Sequence, residues 1–302
     1  MMDPYDRFEL VLNDRIVKTP IALASMAGIV DAGYAIERAD HAGVACIGGY
    51  SIDGPARAAS AAMAAAGRAE FPDGDPIETI GAQILLLEDT DIVTAVNLRG
   101  TTPDAFVSLA EAFGTRVIYE IDAHCRQAPM IEAGSGEYFL HNPDKLAPII
   151  EALASAGVTV SVKMRAGVAK NDQDLARAIW KAGADIIHVD LMDFGHAKLR
   201  QIRNSCPLAL IANNGINTFD RAKDMFSHGA DLISLARHAD TATLASLDAA
   251  IAQMADETGW YNAPKQLCRG GDVRAFTFCC MPVKDCPLIP ALSRIGMPRG
   301  TF

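Results

Sequence analysis

Aromatic residues are scarce, at 6% of the 302 residues, and only two are tryptophan. No apolar run approaches the roughly 20 residues that cross a bilayer, so no membrane partner is expected. The opening MMDPYDRFEL lacks the basic start and apolar stretch of a signal peptide, which leads us to expect a cytoplasmic protein. There is no basic excess either. Lys and Arg total 27 against 37 Asp and Glu, a net charge of −10. That balance argues against a nucleic-acid partner, whose phosphates need cations, and leans toward a small-molecule substrate. The seven cysteines form no CxxC pair, and in a reducing compartment they are expected as thiols unless they hold a metal.

What the chain does have is a rhythm. A short hairpin, FELVL then RIV, turns at Asn13-Asp14. After it, apolar runs alternate with helical segments eight times. The spacing predicts strands at 21–25, 44–48, 79–85, 117–122, 159–165, 185–190, 208–213 and 231–236. Helical periodicity marks 56–66, 102–113, 143–156, 172–182 and 219–228. Gly43, Gly157, Gly183 and Gly229 each follow an apparent helix end and suit the left-handed cap position. Eight βα units predict an α/β fold, a (β/α)8 TIM barrel, with a doubly wound sheet as the alternative. The expected organisation is a hairpin at 1–19, a barrel at 20–240, and a helix with a Cys-rich tail at 241–302. The alanine-rich segment 56–66 suits close packing, and a homo-oligomer is expected.

In such a barrel the chemistry gathers at strand C-terminal ends. The run VIYEIDAHCRQ at 117–127 delivers Asp122, His124, Cys125 and Arg126 at one of them. Ser25, Met26 and Ala27 end the first strand with mostly small residues that let a flat ring approach the backbone. Gln83 is assigned to the third strand, Lys163 and Arg165 to the fifth, and His188 and Asp190 to the sixth. Asn213 and Gly215 follow the seventh; Ala236 and Arg237 follow the eighth. A lysine pointing into the mouth needs an anionic partner, since burying an unpaired ammonium is costly. Small residues after the last two strands match the usual phosphate site of barrels. Together these point to flavin mononucleotide (FMN), with Lys163 at the electron-rich edge of the ring.

The tail carries Cys268, Cys279, Cys280 and Cys286, the last before a proline. Cys-Pro endings occur in iron–sulfur ligand runs, so a cluster is the first expectation there. Zinc and a metal-free tail are the alternatives. Cys46 and Cys206 read as buried structural thiols.

PIALASMAGIVD at 20–31 resembles the opening motif of tRNA-dihydrouridine synthases and is close to that of dihydroorotate dehydrogenases. EIDAHCRQ at 120–127 falls where the synthases carry an Asn-x-Gly-Cys-Pro loop. GSGEYFLHNPDKL, VSVKMRAGV, IANNGI and SLAR follow in the family's order. The resemblance covers about residues 20–240 and is closest to the archaeal-type, dihydrouridine-synthase-like branch. It implies FMN, hydride transfer to a conjugated C=C bond of a heterocycle, and Cys125 as general acid. Flavin contacts fall on Met26, Gln83, Lys163, Asn213, Gly215, Ala236 and Arg237. The departures matter. Asp122 replaces the asparagine, His124 the glycine and Arg126 the proline. Asp190 stands at the synthases' strand-six histidine, and His188, on the same face, is a candidate for a displaced imidazole. A helical tRNA-binding domain is not apparent, so a small heterocycle is favoured over tRNA. A thiol near pKa 8.5 would donate a proton, whereas His124 and Arg126 beside it would lower that pKa and make it a nucleophile. A non-redox barrel binding a phosphorylated metabolite through Gly215 and Arg237 is the remaining alternative.

Overall fold

Two residues in left-handed backbone begin the fold. Asn13 (φ 52°) and Asp14 (φ 57°) form the two-residue turn that joins β1 (Val11–Leu12) to β2 (Arg15–Ile16) as an antiparallel pair. A two-residue loop with both φ values positive matches the twist of a hairpin, and Asn and Asp tolerate that conformation. The turn is fastened to the barrel: Asn13 donates to the Thr115 carbonyl, and Arg15 to those of Thr90 and Ile92. The computed structural model describes residues 7–68 apart from Glu9, and 74–258. The tail with Cys268, Cys279, Cys280 and Cys286 lies outside them.

The predicted barrel is present. Eight parallel strands close on themselves: β3 (Ile21–Leu23), β4 (Val44–Ser51), β5 (Val93–Arg99), β6 (Ile118–Ala123), β7 (Val160–Arg165), β8 (Ile186–Asp190), β9 (Ala209–Asn213) and β10 (Leu232–Leu235). Closure is made by β10 on β3, with Ile233 opposite Ile21. The shell consists of α1 (Ala32–Ile36), α2 (Gly54–Ala65), α3 (Pro76–Leu87), α4 (Pro103–Phe113), α5 (Ala128–Glu132), α6 (Tyr138–His141), α7 (Pro143–Ser155), α8 (Asp172–Lys181), α9 (His196–Arg203), α10 (Phe219–Ser227) and α11 (Thr241–Thr258). Among the described residues no helix is long and apolar enough to cross a membrane.

One strand expectation is overturned. The run expected as a strand at 79–85 lies inside α3, and the third barrel strand is Val93–Arg99. Asp75 caps α3 by accepting from the amides of Ile77 and Glu78, and Pro76 supplies a favourable first-turn φ. Ile80, Ile84 and Leu87 are buried at helical spacing, whereas Leu85 and Leu86 are 62% and 57% exposed. Gln83 therefore sits on a helix; its side-chain oxygen accepts from the Ala32 amide and tethers the start of α1. Gly157, Gly183 and Gly229 have positive φ after their helices as expected, but Gly43 does not. Its requirement is space. A Cβ there would overlap the Thr19 carbonyl oxygen and the Val17 side chain, where the hairpin's exit crosses the start of β4.

Inside the barrel, period-two alternation decides which side chains meet. A layer from alternate strands of such barrels is ordinarily filled by branched aliphatic residues. Here β4, β6, β8 and β10 contribute Cys46, Glu120, His188 and Ser234, all buried and joined in a row by hydrogen bonds. A polar layer thus lies where a greasy plug is usual.

Gly43→Ala should destabilise the fold by about 2–3 kcal/mol, in the range of overpacking that the backbone cannot relieve. Gly54→Ala, with open space around the added methyl, should be neutral or slightly stabilising. Paired urea titrations check both; equal midpoints would show that the Gly43 contact is not tight.

Candidate active site

The polypeptide leaves β6 through a turn made by its own aspartate. Asp122 Oδ1 accepts from the amides of His124 (2.9 Å) and Cys125 (3.0 Å), an Asx turn that spends one carboxylate oxygen on backbone geometry. The loop then folds back, with the Glu137 amide donating to the Cys125 carbonyl. Gly136 (φ 65°) permits that approach, since a Cβ there would overlap the same carbonyl oxygen.

The two residues after this turn go to different partners. His124 Nε2 lies 2.7 Å from Asp190 Oδ2 at the end of β8. Arg165, at the end of β7, reaches the same oxygen with Nε at 3.4 Å and pairs through Nη1 with Glu137. Arg165 Nη2 also lies 3.0 Å from His124 Nε2. One ring nitrogen cannot both donate to a carboxylate and accept from a guanidinium. The shorter, charge-assisted contact decides: the Nε2 proton goes to Asp190. Burial alone would raise the Asp190 carboxyl. The His124 hydrogen bond, the Met192 amide (3.0 Å) and Arg165 together hold it well below the usual range.

Cys125 turns toward β5 and α2. It packs with Ala56, Ala59, Met63 and Met130. Burial and the Asp122 charge push its thiol pKa up, against smaller opposing effects of the Gln127 amide and Arg99. The thiol is therefore protonated at neutral pH. The cation beside it is Arg99 at the end of β5, whereas Arg126 is exposed.

On the opposite wall, Lys163 points inward from β7 and is 4% exposed. Its Nζ donates to Ser25 Oγ (2.7 Å) and to the Ser25 carbonyl (3.2 Å), across the barrel after β3. Among the described residues it makes no ion pair within 4 Å. Met26 and Ala27 follow, half-buried. At the next rim, half-buried Asn213 donates to Ser234 Oγ (2.7 Å) and Ser234 O (3.2 Å). Gly215 (φ 68°) and Arg237 are exposed there, with half-buried Ala236 between the last strand and Arg237. Arg221 lies close to Gly215.

His188 does not supply an imidazole at the mouth. It shares Asp190's inward face but lies one layer deeper, 0% exposed, with Nδ1 2.7 Å from Glu120 Oε2 and Nε2 2.8 Å from Ser234 Oγ. The ring beside Asp190 is that of His124. Burial holds the His188 pKa down, so the ring is neutral. Burial alone would raise Glu120. Hydrogen bonds from His188 and Asn97 (2.9 Å), with the Lys163 charge, hold it below its ordinary range. Sequence reasoning did not single out Glu120, Asn97, Arg99, Glu137 or Ser234. Glu120 was readable as the inward neighbour of Asp122 two residues back.

This donor set fits FMN. Among the described residues a buried ammonium hydrogen-bonds to a hydroxyl and a carbonyl and makes no ion pair within 4 Å, small residues follow β3, and a left-handed glycine lies with arginines beyond β9 and β10. Lys163, Ser25 and Asn213 would face the ring, and Gly215, Ala236 and Arg237 would hold the phosphate.

Known proteins place the chain. The family model described as dihydrouridine synthase matches residues 83–253, more than half of the sequence. An uncharacterized protein of Methanocaldococcus jannaschii is 25% identical over 235 residues, covering 72% of this chain and 88% of that one. A second uncharacterized protein of that organism is 54% identical over 44 residues, only 28% of its own length. Among solved structures, Eimeria tenella DHODH in complex with ferulenol superposes with a TM-score of 0.61 at 14% identity, covering 84% of this chain and 86% of that one. The ligand-free type of the same enzyme gives 0.62 at 11% identity, with 91% and 92% covered. At those identities the likeness is one of fold.

The buried pair makes acid the weak side of the fold. Glu120 keeps a folded pKa below its ordinary 4.5, so its contribution is complete above that value and lost as pH falls through the folded pKa. His188, held below its ordinary 6.5, resists a proton that the unfolded ring takes up. Both make the unfolded chain bind more protons, so stability should fall as pH drops from about 6.5. Urea midpoints from pH 7 to 3 check this, and Glu120→Gln should flatten the slope below pH 5.

Proposed function

Because the chain belongs to the dihydrouridine synthase family, we propose that it is a cytoplasmic FMN-dependent oxidoreductase acting on a conjugated C=C bond of a small heterocycle. The observation that carries this reading is Lys163, a buried ammonium turned into the mouth of a parallel barrel with no carboxylate in contact among the described residues. When bound, FMN supplies or accepts the hydride. The chain's own residues do the rest. Lys163 stabilises negative charge at the ring edge, and Ser25 fixes the direction of its ammonium. Protonated Cys125 is placed to give a proton to a carbon that has gained negative charge. Asp190 holds His124 by Nε2 and leaves its Nδ1 for a substrate polar atom. Arg165 is neutralised by Glu137 and Asp190 together, so this rim offers no excess of cations.

That local balance and the net charge of −10 support a small substrate over a tRNA. Within the family, tRNA is the second reading, favoured by the match itself.

Anaerobically purified protein should show the two-band absorbance of oxidised flavin. Lys163→Met should weaken FMN retention at least tenfold. Cys125→Ala should keep FMN and its reduction by dithionite, yet reoxidise more slowly with an active acceptor. Bulk tRNA and a panel of free pyrimidines and pterins provide the two acceptor arms. Colourless protein that takes up no added FMN would remove the proposal, and full turnover by Cys125→Ala would remove only the thiol.

A further inference from the structure

A carboxylate with no exposed surface costs far more than an aliphatic side chain of similar size, and a buried ion pair is poor evidence for stability. Glu120 therefore calls for another account. Its surroundings supply one, because the hydrogen-bond chain that ends on it has a single consistent direction.

Consider the two ends. The Ser234 backbone carbonyl only accepts, so the side-chain nitrogen of Asn213, not its oxygen, faces it at 3.2 Å. The second hydrogen of that nitrogen goes to Ser234 Oγ at 2.7 Å. The Ser234 hydroxyl proton is then directed to His188 Nε2 at 2.8 Å, closer than the Ala212 carbonyl at 3.5 Å. His188 Nε2 accepts, so the ring proton is on Nδ1 and is donated to Glu120 Oε2 at 2.7 Å. Glu120 ends the chain and takes the Asn97 side-chain N–H on its other oxygen. The Ser161 hydroxyl adds a longer contact at 3.4 Å. Asn213 Oδ1 makes no hydrogen bond among the described residues.

We propose that Glu120 is a positioning residue for the mouth: its carboxylate fixes His188 as the neutral, Nδ1-protonated ring, and through Ser234 holds Asn213 with its amide oxygen offered as an acceptor at the end of β9. Glu120 itself touches no ligand. A glutamine here would reverse the chain. Asn97 demands an acceptor, so the glutamine oxygen would turn to Asn97 and its NH2 to His188. His188 would then accept on Nδ1 and carry its proton on Nε2. Ser234 would receive two donors and its own proton would be left to the distant Ala212 carbonyl. Asn213 would then share the Ser234 hydroxyl oxygen with the His188 ring N–H and would no longer hold it alone.

The test uses the full chain with 15N-labelled histidine, the His188 signals assigned by their loss in His188→Gln. We expect one ring with Nδ1 protonated and Nε2 bare, unchanged from pH 6 to 8. Glu120→Gln should move the proton to Nε2, and Glu120→Asp should keep it on Nδ1. FMN affinity, read by quenching of flavin fluorescence, should fall about tenfold in Ser234→Ala and Glu120→Gln, about the worth of one hydrogen bond, and less in Glu120→Asp. A wild-type His188 protonated on Nε2, or titrating in that range, would overturn the proposal. So would unchanged FMN affinity in both Ser234→Ala and Glu120→Gln. The fluorescence arm rests on the FMN reading above and the ring signals do not. Protein that binds no FMN but shows the expected tautomer removes that reading and the positioning of a flavin acceptor, and leaves the His188–Glu120 polarity. If Glu120→Gln does not fold, the wild-type ring and Ser234→Ala decide.

Discussion

The ionised carboxylate of Glu120, sealed inside the barrel, is the constraint to which the rest of the interior answers. Such a group is tolerable only where donors converge on it. His188, Asn97, Ser161 and the weak thiol donor of Cys46 do so from β8, β5, β7 and β4. None of these side chains is free to rearrange alone, because each is also fixed by the strand that carries it. Lys163 adds a compensating charge without touching the carboxylate, which leaves its ammonium free to bond with Ser25 across the barrel. The polar layer and the lysine therefore form one electrostatic unit. A carboxylate beneath balances an ammonium that faces the mouth.

How far the sequence disclosed this follows from its periodicities. Seven of the eight barrel strands were legible as short Val-, Ile- and Ala-rich runs, three of them announced by a left-handed glycine after a helix, at Gly157, Gly183 and Gly229. The eighth was missed for a physical reason. VTAVNLR carries Asn97 and Arg99 on its inner face and Thr94 on the other, and a strand so interrupted by polar groups does not look apolar. The IGAQILLL run does, yet its Leu85 and Leu86 are solvent-facing on α3. The error displaced Gln83 into a strand and hid Arg99, the cation nearest Cys125. Sequence alone leaves Lys163 pointing either to the surrounding helices or into the mouth; its contact with Ser25 across the barrel decides for the mouth.

The imidazole at the mouth illustrates a different limit. Period two correctly puts His188 and Asp190 on one face, but it says nothing of depth. Two residues along a strand advance about 6–7 Å, enough to separate a ring in the plug from a carboxylate at the rim. The ring that reaches Asp190 comes instead from the loop after β6. Its placement depends on the Asx turn of Asp122 and on the return contact between Glu137 and Cys125, neither of which follows from spacing.

That turn also separates two proton-bearing groups that are adjacent in the chain. His124 goes to β8, where Asp190, Arg165 and Glu137 surround it with charge; Cys125 goes to the apolar contacts of α2 and α5. The environments differ in what they favour. An apolar pocket with Asp122 nearby keeps a thiol protonated, which suits donation and opposes nucleophilic attack. A carboxylate on Nε2 fixes the imidazole's tautomer, which suits orientation of a bound polar atom. Division of labour between neighbouring residues is thus set by a single aspartate at the strand end. An asparagine there, with only one side-chain acceptor oxygen and no charge, could form the same turn but would leave burial alone to raise the thiol.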